Sequence, residues 1–209
     1  MGRDSQTGKQ GAELDKIDFK KTDRPFYSGK QNRWDQITIP PMQFLAVDGI
    51  GPPLGDTYAD ALTALYPLAY GIKFAQKAQG HDFVVPPLEA LWWSDKLDAF
   101  TENRRDEWQW RAMIRMPDRV TQADVDAARK PDPTADVAFT TFDEGPCLQT
   151  LHVGSYADEA SVLADLHDRL MPELGLTFRG HHHEIYLSDP RRVAPEKLRT
   201  ILRQPVQPI

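Results

Sequence analysis

Cysteine and long apolar runs are nearly absent from this 209-residue sequence. The single cysteine, Cys147, excludes an internal disulfide and a cysteine-rich metal cluster, which is typical of a reducing compartment. No stretch approaches the roughly 18 to 20 apolar residues of a membrane span, and residues 1–11 lack the apolar centre of a signal peptide. These absences predict a soluble, cytoplasmic protein that makes no contact with a membrane.

Positive charge is also scarce, because 25 Lys and Arg residues face 31 Asp and Glu residues, a net charge of −6. Residues 1–34 hold eight basic and five acidic side chains, which leaves 17 basic and 26 acidic side chains in the rest. Such an acidic body repels a phosphate backbone, so we predict no direct binding of nucleic acid. It suits a neutral or cationic small molecule better. Among the basic residues stand aromatic ones, which predict an arm packed onto the body: Phe19, Phe26, Tyr27 and Trp34.

The motifs of several enzyme classes are missing. There is no Gly-x-Ser-x-Gly elbow, no glycine-rich phosphate loop after a strand, and no helical His-Glu-x-x-His pattern. His181, His182 and His183 are consecutive, but in an extended strand His182 points away from the other two. The three rings therefore cannot bind one metal ion together. We expect neither a metal nor an organic cofactor.

Hydrophobic periodicity predicts the elements. Residues 1–16 are polar without a period and predict a disordered tail, whereas residues 17–209 predict a single domain. Helix patterns cover 57–76, which Pro67 should kink or divide, then 121–129 and 156–174, and Pro195 suits the first turn of a short segment ending at 202. Strand patterns occur at 43–47, 83–93, 107–116, 138–142, 147–153 and 181–190.

The two halves of the chain contain similar short segments, GDTYADAL at 55–62 and GSYADEA at 154–160. Each segment lies between a predicted strand and a predicted helix, and the strands after these helices place Glu89 and Glu184 at the same register. We interpret the halves as pseudo-repeats, about 42–117 and 137–190. A pseudo-two-fold arrangement would bring both glutamates toward one central cleft.

Aromatic residues accompany these acids. Alternation places Trp93 on the face of Glu89, and the neighbouring strand offers Trp108 and Trp110. Aromatic walls around an acid predict a pocket for a flat, weakly polar ligand, in which burial would raise the pKa of the carboxyl. Two simpler interpretations stay open: the tryptophans form core, and Glu184 is an exposed acid on an edge strand.

Five segments together resemble a known family: LYPLAY at 65–70, VPPLEALWW at 85–93, WQWRAMIRMP at 108–117, LHVGSY at 151–156 and HHEIYLSDP at 182–190. On these segments the chain resembles the GyrI-like small-molecule-binding family, which is related to the effector-binding domains of multidrug-responsive bacterial regulators. The resemblance implies an α+β fold of duplicated strand-helix-strand-strand units with pseudo-two-fold symmetry. An antiparallel sheet and two main helices would surround a central ligand cleft that contains Glu184. The regulators carry a DNA-binding domain beside this fold, but this sequence shows no helix-turn-helix pattern.

Some free-standing members that resemble this chain hydrolyse the cyclopropane ring of DNA-alkylating cyclopropapyrroloindole natural products. The resemblance therefore implies a detoxifying hydrolase, with Glu184 as general base and Glu89 as its partner, although these roles can be exchanged. Ala90 and Pro87, beside Glu89, depart mildly from the family pattern. The implied ligand is a flat aromatic molecule, bound by Tyr66, Tyr70, Trp93, Trp108, Trp110, His152, Tyr156 and Tyr186.

A non-catalytic alternative stays open. A domain of this kind could sequester drugs, or it could inhibit a protein such as gyrase, as the family name suggests. The sequence identifies no protein partner, so the two alternatives have to be separated by the site and by experiment.

Overall fold

The computed structural model describes residues 16–53, 55–96, 99–100, 102–131 and 133–209. The predicted tail, residues 1–16, lies outside the described residues except for Lys16, which is exposed. Within the described ranges, no helix is both long and apolar enough to cross a membrane.

An antiparallel β-sheet forms the centre of the fold. The strand order is β1-β6-β9-β8-β3-β4-β2-β5, and the short β7 pairs with β9 outside this path. The strands are β1 (Asp35–Ile39), β2 (Met42–Ile50), β3 (Glu89–Trp93), β4 (Gln109–Met116), β5 (Ala138–Phe142), β6 (Gly145–Val153), β7 (Leu176–Phe178), β8 (His182–Tyr186) and β9 (Arg199–Pro208). Together with the helices, this sheet confirms the predicted α+β class.

The helices follow the predicted periods with two differences. α1 covers Phe19–Thr22, and α2 covers Asp56–Ala78 and runs on through Pro67, which therefore does not divide it. α3 (Gln122–Ala128) begins after Thr121, whose hydroxyl accepts from the N–H of Asp124, as expected of an N-cap. The helix predicted at 156–174 is present as one uninterrupted helical run over 156–173, but its hydrogen bonding changes along the run: a 3-10 turn Tyr156–Asp158, α4 (Glu159–Asp165), a π-helix Leu166–Leu170 and α5 (Met171–Glu173).

Strand β9 was not predicted. The segment that begins at Pro195 makes only a 3-10 turn, Pro195–Lys197, before ten residues of strand. β9 lies between β6 and β8 and is buried on both faces, so its side chains do not alternate between apolar and polar. Arg203 and Gln204 are buried polar residues, and Pro205 argues against a central strand, which together conceal the strand pattern.

The strand order is the same on both sides of the β3–β8 pair. Moving outward, β3 is followed by β4 and β2, and β8 is followed by β9 and β6. Apart from the short β7, each half also has the chain order strand, helix, strand, strand. This is the order that a pseudo-two-fold axis between β3 and β8 would give. The counterpart of β4 is β9, which begins nine residues beyond the predicted second repeat at 137–190.

The sheet has two unlike faces. The helix face, which carries Ala90, Trp92 and Glu184, packs against α2 on the β2 and β4 side. On the other side Leu148 and Val206 pack against Leu166 and Met171 of the second helical segment. β3 and β8 lie between these two helical layers, where the family resemblance implies a cleft.

The opposite face, called here the arm face, is covered in part by residues 19–28. Phe19 and Tyr27 are buried there against Leu151, Ile185 and Ile201, as predicted for an aromatic arm. Trp34, also predicted for the arm, instead packs against Leu148 and Leu166 on the helix-face side of the sheet.

A buried ion network ties the arm to the sheet. The ring of His183 lies between two carboxylates, with Nδ1 2.7 Å from Glu144 Oε1 and Nε2 3.0 Å from Glu89 Oε2. Arg203 donates to Glu144 at 2.8 Å, and the hydroxyl of Tyr27 donates to Glu89 at 3.2 Å. All five side chains are buried.

Charge pairing outweighs burial in this network. Burial by itself lowers the pKa of His183, but Glu144 and Glu89 more than compensate and raise that pKa to about 9. Burial also opposes ionisation of Glu144, yet Arg203 and His183 bring the pKa of this carboxyl down to about 2. At neutral pH His183 is therefore protonated and Glu144 is ionised.

We predict that His183→Gln destabilises the protein in a pH-dependent way. Because the folded-state pKa of His183 is raised, its contribution is fully present below about pH 6.5 and is lost as the pH rises through about 9. The free energy of unfolding should fall by about 3–5 kcal/mol near pH 6 and by much less above pH 9. Thermal unfolding at both pH values measures this, with exposed His81→Gln as control. Equal losses at both would contradict it.

Candidate functional site

The register of β3 against β8 separates the two predicted glutamates. Glu89 pairs with Ile185, and Ala90 pairs with Glu184. Paired residues share a face of the sheet and neighbouring residues alternate, so Glu89 lies on the arm face and Glu184 on the helix face. The expectation that both acids face one cleft is therefore wrong. A two-fold axis perpendicular to the sheet would place equivalent residues of the two halves on the same face of the sheet. Glu89 and Glu184 lie on opposite faces, so the repeat alignment that matches them is out of register by one residue.

Glu184 stands at the centre of the helix face. Its neighbours on β8 with the same orientation are His182 and Tyr186, and Ala90 and Leu202 flank it on β3 and β9. The Glu184 side chain is 14% exposed, so it is screened from bulk water but accessible.

A second carboxyl on this face was missed. Glu159 is the first residue of α4, is 4% exposed and lies close enough to Glu184 for the charge of Glu184 to act on it. Burial raises the pKa of Glu159 to about 10, and the charge of Glu184 acts in the same direction. The site therefore combines a neutral carboxylic acid with a second carboxyl group. No sequence pattern singles out Glu159, since an acid in the first turn of a helix ordinarily faces solvent.

Aromatic rings surround the acid pair. The indole N–H of Trp92 donates to the hydroxyl of Tyr186 at 3.0 Å, and Tyr58 stacks on Trp92 with a centroid distance of 5.7 Å. The edge of Trp108 approaches Trp92 at 6.0 Å, and Tyr156 approaches Tyr186 at 5.8 Å. Trp92 and Tyr58 were not selected from the sequence. They contact the predicted ligand-binding residues Trp108, Trp110 and Tyr186.

Burial keeps these phenols neutral. It raises the pKa of Tyr186 well above the ordinary range, and the charge of Glu184 raises it further. Burial likewise raises the pKa of Tyr58, and it raises that of the half-exposed Tyr156 to about 12. The rings around Glu184 thus add hydrogen-bonding groups but no charge at physiological pH.

The other predicted ligand-binding residues divide into two groups. His152 lies on the helix face with Nε2 3.0 Å from the Ser155 carbonyl oxygen, and Trp110 is fully buried beneath Tyr58. Trp93 does not belong to the site, because it lies on the arm face, where it stacks on His181 and donates to Gln109 at 2.9 Å.

Two predicted tyrosines lie on α2. Tyr66 is half-buried and close enough to Asp189 and Arg191, in the loop after β8, for their charges to act on it. Tyr70 is 45% exposed and contacts Phe74. Among the described residues, Tyr70 shows no ring contact or hydrogen bond with Glu184 or Trp92, so its role in binding stays a prediction.

The three consecutive histidines enter three environments. His181 stacks on Trp93, His182 faces the site with Nε2 3.4 Å from Glu184 Oε1, and His183 belongs to the buried network. They do not converge. In the described part of the chain, no group of three or more His, Cys, Asp and Glu side chains is arranged to hold a metal ion.

The sequence matches the GyrI-like small molecule binding domain over residues 35–207. The chain belongs to the GyrI-like family. A search of curated proteins gives no match. Among solved structures, an uncharacterized conserved protein from Listeria innocua is 42% identical with a TM-score of 0.85, and the alignment covers 92% of this GyrI-like chain and 100% of that one.

A hydrolase from Listeria innocua is 41% identical with a TM-score of 0.80, over the same shares of the two chains. The C-terminal domain of EcmrR is 11% identical with a TM-score of 0.53, and the alignment covers 85% of this chain and 98% of that domain. At that identity the likeness to EcmrR shows the fold alone.

We predict that Glu159→Gln stabilises the protein at neutral and alkaline pH. Because the folded-state pKa of Glu159 is raised, the unfolded chain ionises first, and stability is lost as the pH rises from about 4.5 to about 10. Glutamine removes that cost. At pH 8 the midpoint of thermal unfolding should rise by about 2–4 °C for each kcal/mol relieved. At pH 4 the variant and the native protein should unfold alike. Exposed Glu196→Gln is the control, and an equal gain at both pH values would contradict the prediction.

Proposed function

We propose that this protein is a hydrolase that opens the strained cyclopropane ring of flat, aromatic, DNA-alkylating compounds by adding water. The observation that carries the proposal is the pairing of Glu184 with the buried, neutral Glu159 on a face walled by aromatic rings. The relationship to a Listeria hydrolase at 41% identity supports it. A detoxifying role would follow from destroying the alkylating centre.

In this proposal Glu184 is the general base and Glu159 the general acid. A water molecule attacks a ring carbon and gives a proton to Glu184 as the new C–O bond forms. The ring C–C bond breaks, and its electron pair moves through the conjugated system to the carbonyl oxygen. That oxygen takes the proton of Glu159. The product contains the substrate plus one water, and the acid pair is left with its proton exchanged.

The contact between the two carboxyl groups supports a simple reset. After one turnover the proton is on Glu184 and the charge is on Glu159, in the more deeply buried position. Burial disfavours the charged form of Glu159, which favours the return of a proton to it. The pair needs no external acid to return to its starting state.

The surroundings of the pair suit a flat and weakly polar substrate. Tyr156 and Tyr186 offer ring faces and edges, Tyr58 and Trp92 are buried behind them, and the tyrosine hydroxyl groups stay neutral. A desolvated site also strengthens the interactions that form as charge moves to the carbonyl oxygen.

A binding protein without catalysis is the second candidate. The family is defined by a small-molecule-binding domain, and the same aromatic face would bind a flat drug without turning it over. The two candidates differ in one observable. Only a hydrolase releases a product that is heavier than the substrate by one water molecule.

We predict that the purified protein converts a cyclopropane-bearing alkylator into its hydrated product, as measured by mass spectrometry. Glu184→Gln and Glu159→Gln should each lower kcat by about 10²- to 10⁴-fold, because each removes a group that transfers a proton. Both variants should still bind the compound. Exposed Glu196→Gln is the matched control. Tight binding with no hydrated product would support sequestration instead.

Glu89→Gln distinguishes this assignment from the pairing expected from sequence. If Glu89 acts only in the buried network, the variant should unfold at a lower temperature, whereas its folded fraction should turn over substrate as the native protein does. Loss of turnover in a fully folded Glu89→Gln variant, with Glu159→Gln active, would reverse the assignment.

We predict that Tyr156→Ala weakens binding of the intact alkylator. Tyr156 is 42% exposed and contacts the edge of Tyr186, so its removal takes away a ring face at little cost to the core. A loss of about 1 kcal/mol, or roughly fivefold in Kd, is expected for one aromatic contact. Quenching of tryptophan fluorescence measures it. Phe74→Ala, an exposed aromatic on α2, is the control, and equal effects of both would sink the prediction.

A further inference from the structure

His182 is a partly buried histidine on the helix face, and the hydrogen-bonding capacity of its two buried ring nitrogens is unused. Its side chain is 12% exposed, and neither Nδ1 nor Nε2 has a hydrogen-bond partner in the described part of the structure. Buried polar atoms are nearly always satisfied, and leaving one unpaired costs about 1–3 kcal/mol. Two such atoms on one ring indicate that something outside the protein chain binds there.

The position of His182 points to what that is. Nε2 lies 3.4 Å from Glu184 Oε1, in a relative orientation that makes no direct hydrogen bond. A water molecule placed above both atoms can reach each of them at an ordinary hydrogen-bond length. Trp92, an uncharged side chain, flanks His182 on β3.

The second helical segment places another histidine near His182. The π-helix Leu166–Leu170 contains His167, whose Nε2 is also unpartnered and buried. Burial, and then the proximity of His182, lowers the pKa of His167 to about 4, although Asp168 opposes this shift. His167 is therefore uncharged at physiological pH and leaves Glu184 as the ionisable group nearest to His182 on the helix face.

We propose that His182 and Glu184 together bind the water molecule that attacks the substrate. This inference rests on the proposed hydrolysis and adds a second anchor for its nucleophile. The water donates one O–H to the carboxylate of Glu184 and the other to an unprotonated ring nitrogen of His182. Its oxygen lone pair is then directed away from the sheet, toward a substrate in the cleft. Glu184 takes the transferred proton, and His182 keeps the water oriented and changes no bond.

Two substitutions separate this role from simple packing. His182→Leu keeps bulk and removes the anchor, so kcat should fall about 10- to 100-fold, the value of one hydrogen bond in the transition state, with KM unchanged. His182→Gln places an amide near the position of Nε2 and should recover most of the loss. If His182 had only a structural role, His182→Leu would not lower kcat selectively at unchanged KM, and His182→Gln would not restore kcat. His81→Leu, an exposed histidine, is the control.

A crystal structure of the unliganded protein provides a second readout that does not depend on turnover. An ordered water within hydrogen-bond distance of both His182 Nε2 and Glu184 is expected in the native protein and should be lost in His182→Leu. If that water is present but no alkylator is hydrated, the proposed function fails and the water site stands. If hydration occurs and His182→Leu turns over at the native rate, or if no water is ordered there, the inference about His182 is overturned.

Discussion

The two-residue period of β8 is the constraint on which the rest of the site depends. His183 points to the arm face and enters a network with Glu144 and Glu89, whereas Glu184 points to the helix face and meets Glu159. One short strand thus contributes to both sides of the sheet. Since the side chains alternate strictly, neither position can be chosen independently of the other.

The buried carboxyl groups on the two faces of the sheet have opposite charge states. On the arm face Glu144 stays ionised, because Arg203 and protonated His183 compensate the lost hydration. On the helix face no such cation accompanies Glu159, so burial and Glu184 keep it protonated. The first arrangement stabilises the fold at neutral pH, and the second costs stability there. A cost of that kind is expected where a carboxyl group is kept for chemistry.

The sequence was sufficient for the class of fold and insufficient for the partner of Glu184. The amphipathic period of α2 and the alternation in β3, β4 and β8 are strong signals, and the family resemblance carried the duplicated topology. The repeat alignment failed because its short matches fixed the register of β8 only to within a residue, and one residue exchanges the faces. Glu159 was not predicted because it resembles an ordinary acid in the first turn of a helix. Trp92 was not predicted because alternation along the strand from Glu89 selects Trp93 instead.

The arm-face network also explains how the side chains on the helix face are held in fixed positions. If β8 slipped by one residue against β3 and β9, Glu184 would enter the buried space beside Glu144 and Glu89, and His183 would leave both carboxylates unpaired. Three carboxyl groups would then share the charge of Arg203, which is far more costly than the loss of any single contact. The network therefore specifies register as well as stability. It holds Glu184 and His182 in fixed positions from the opposite side of the sheet, without taking up space in the cleft where a ligand would bind.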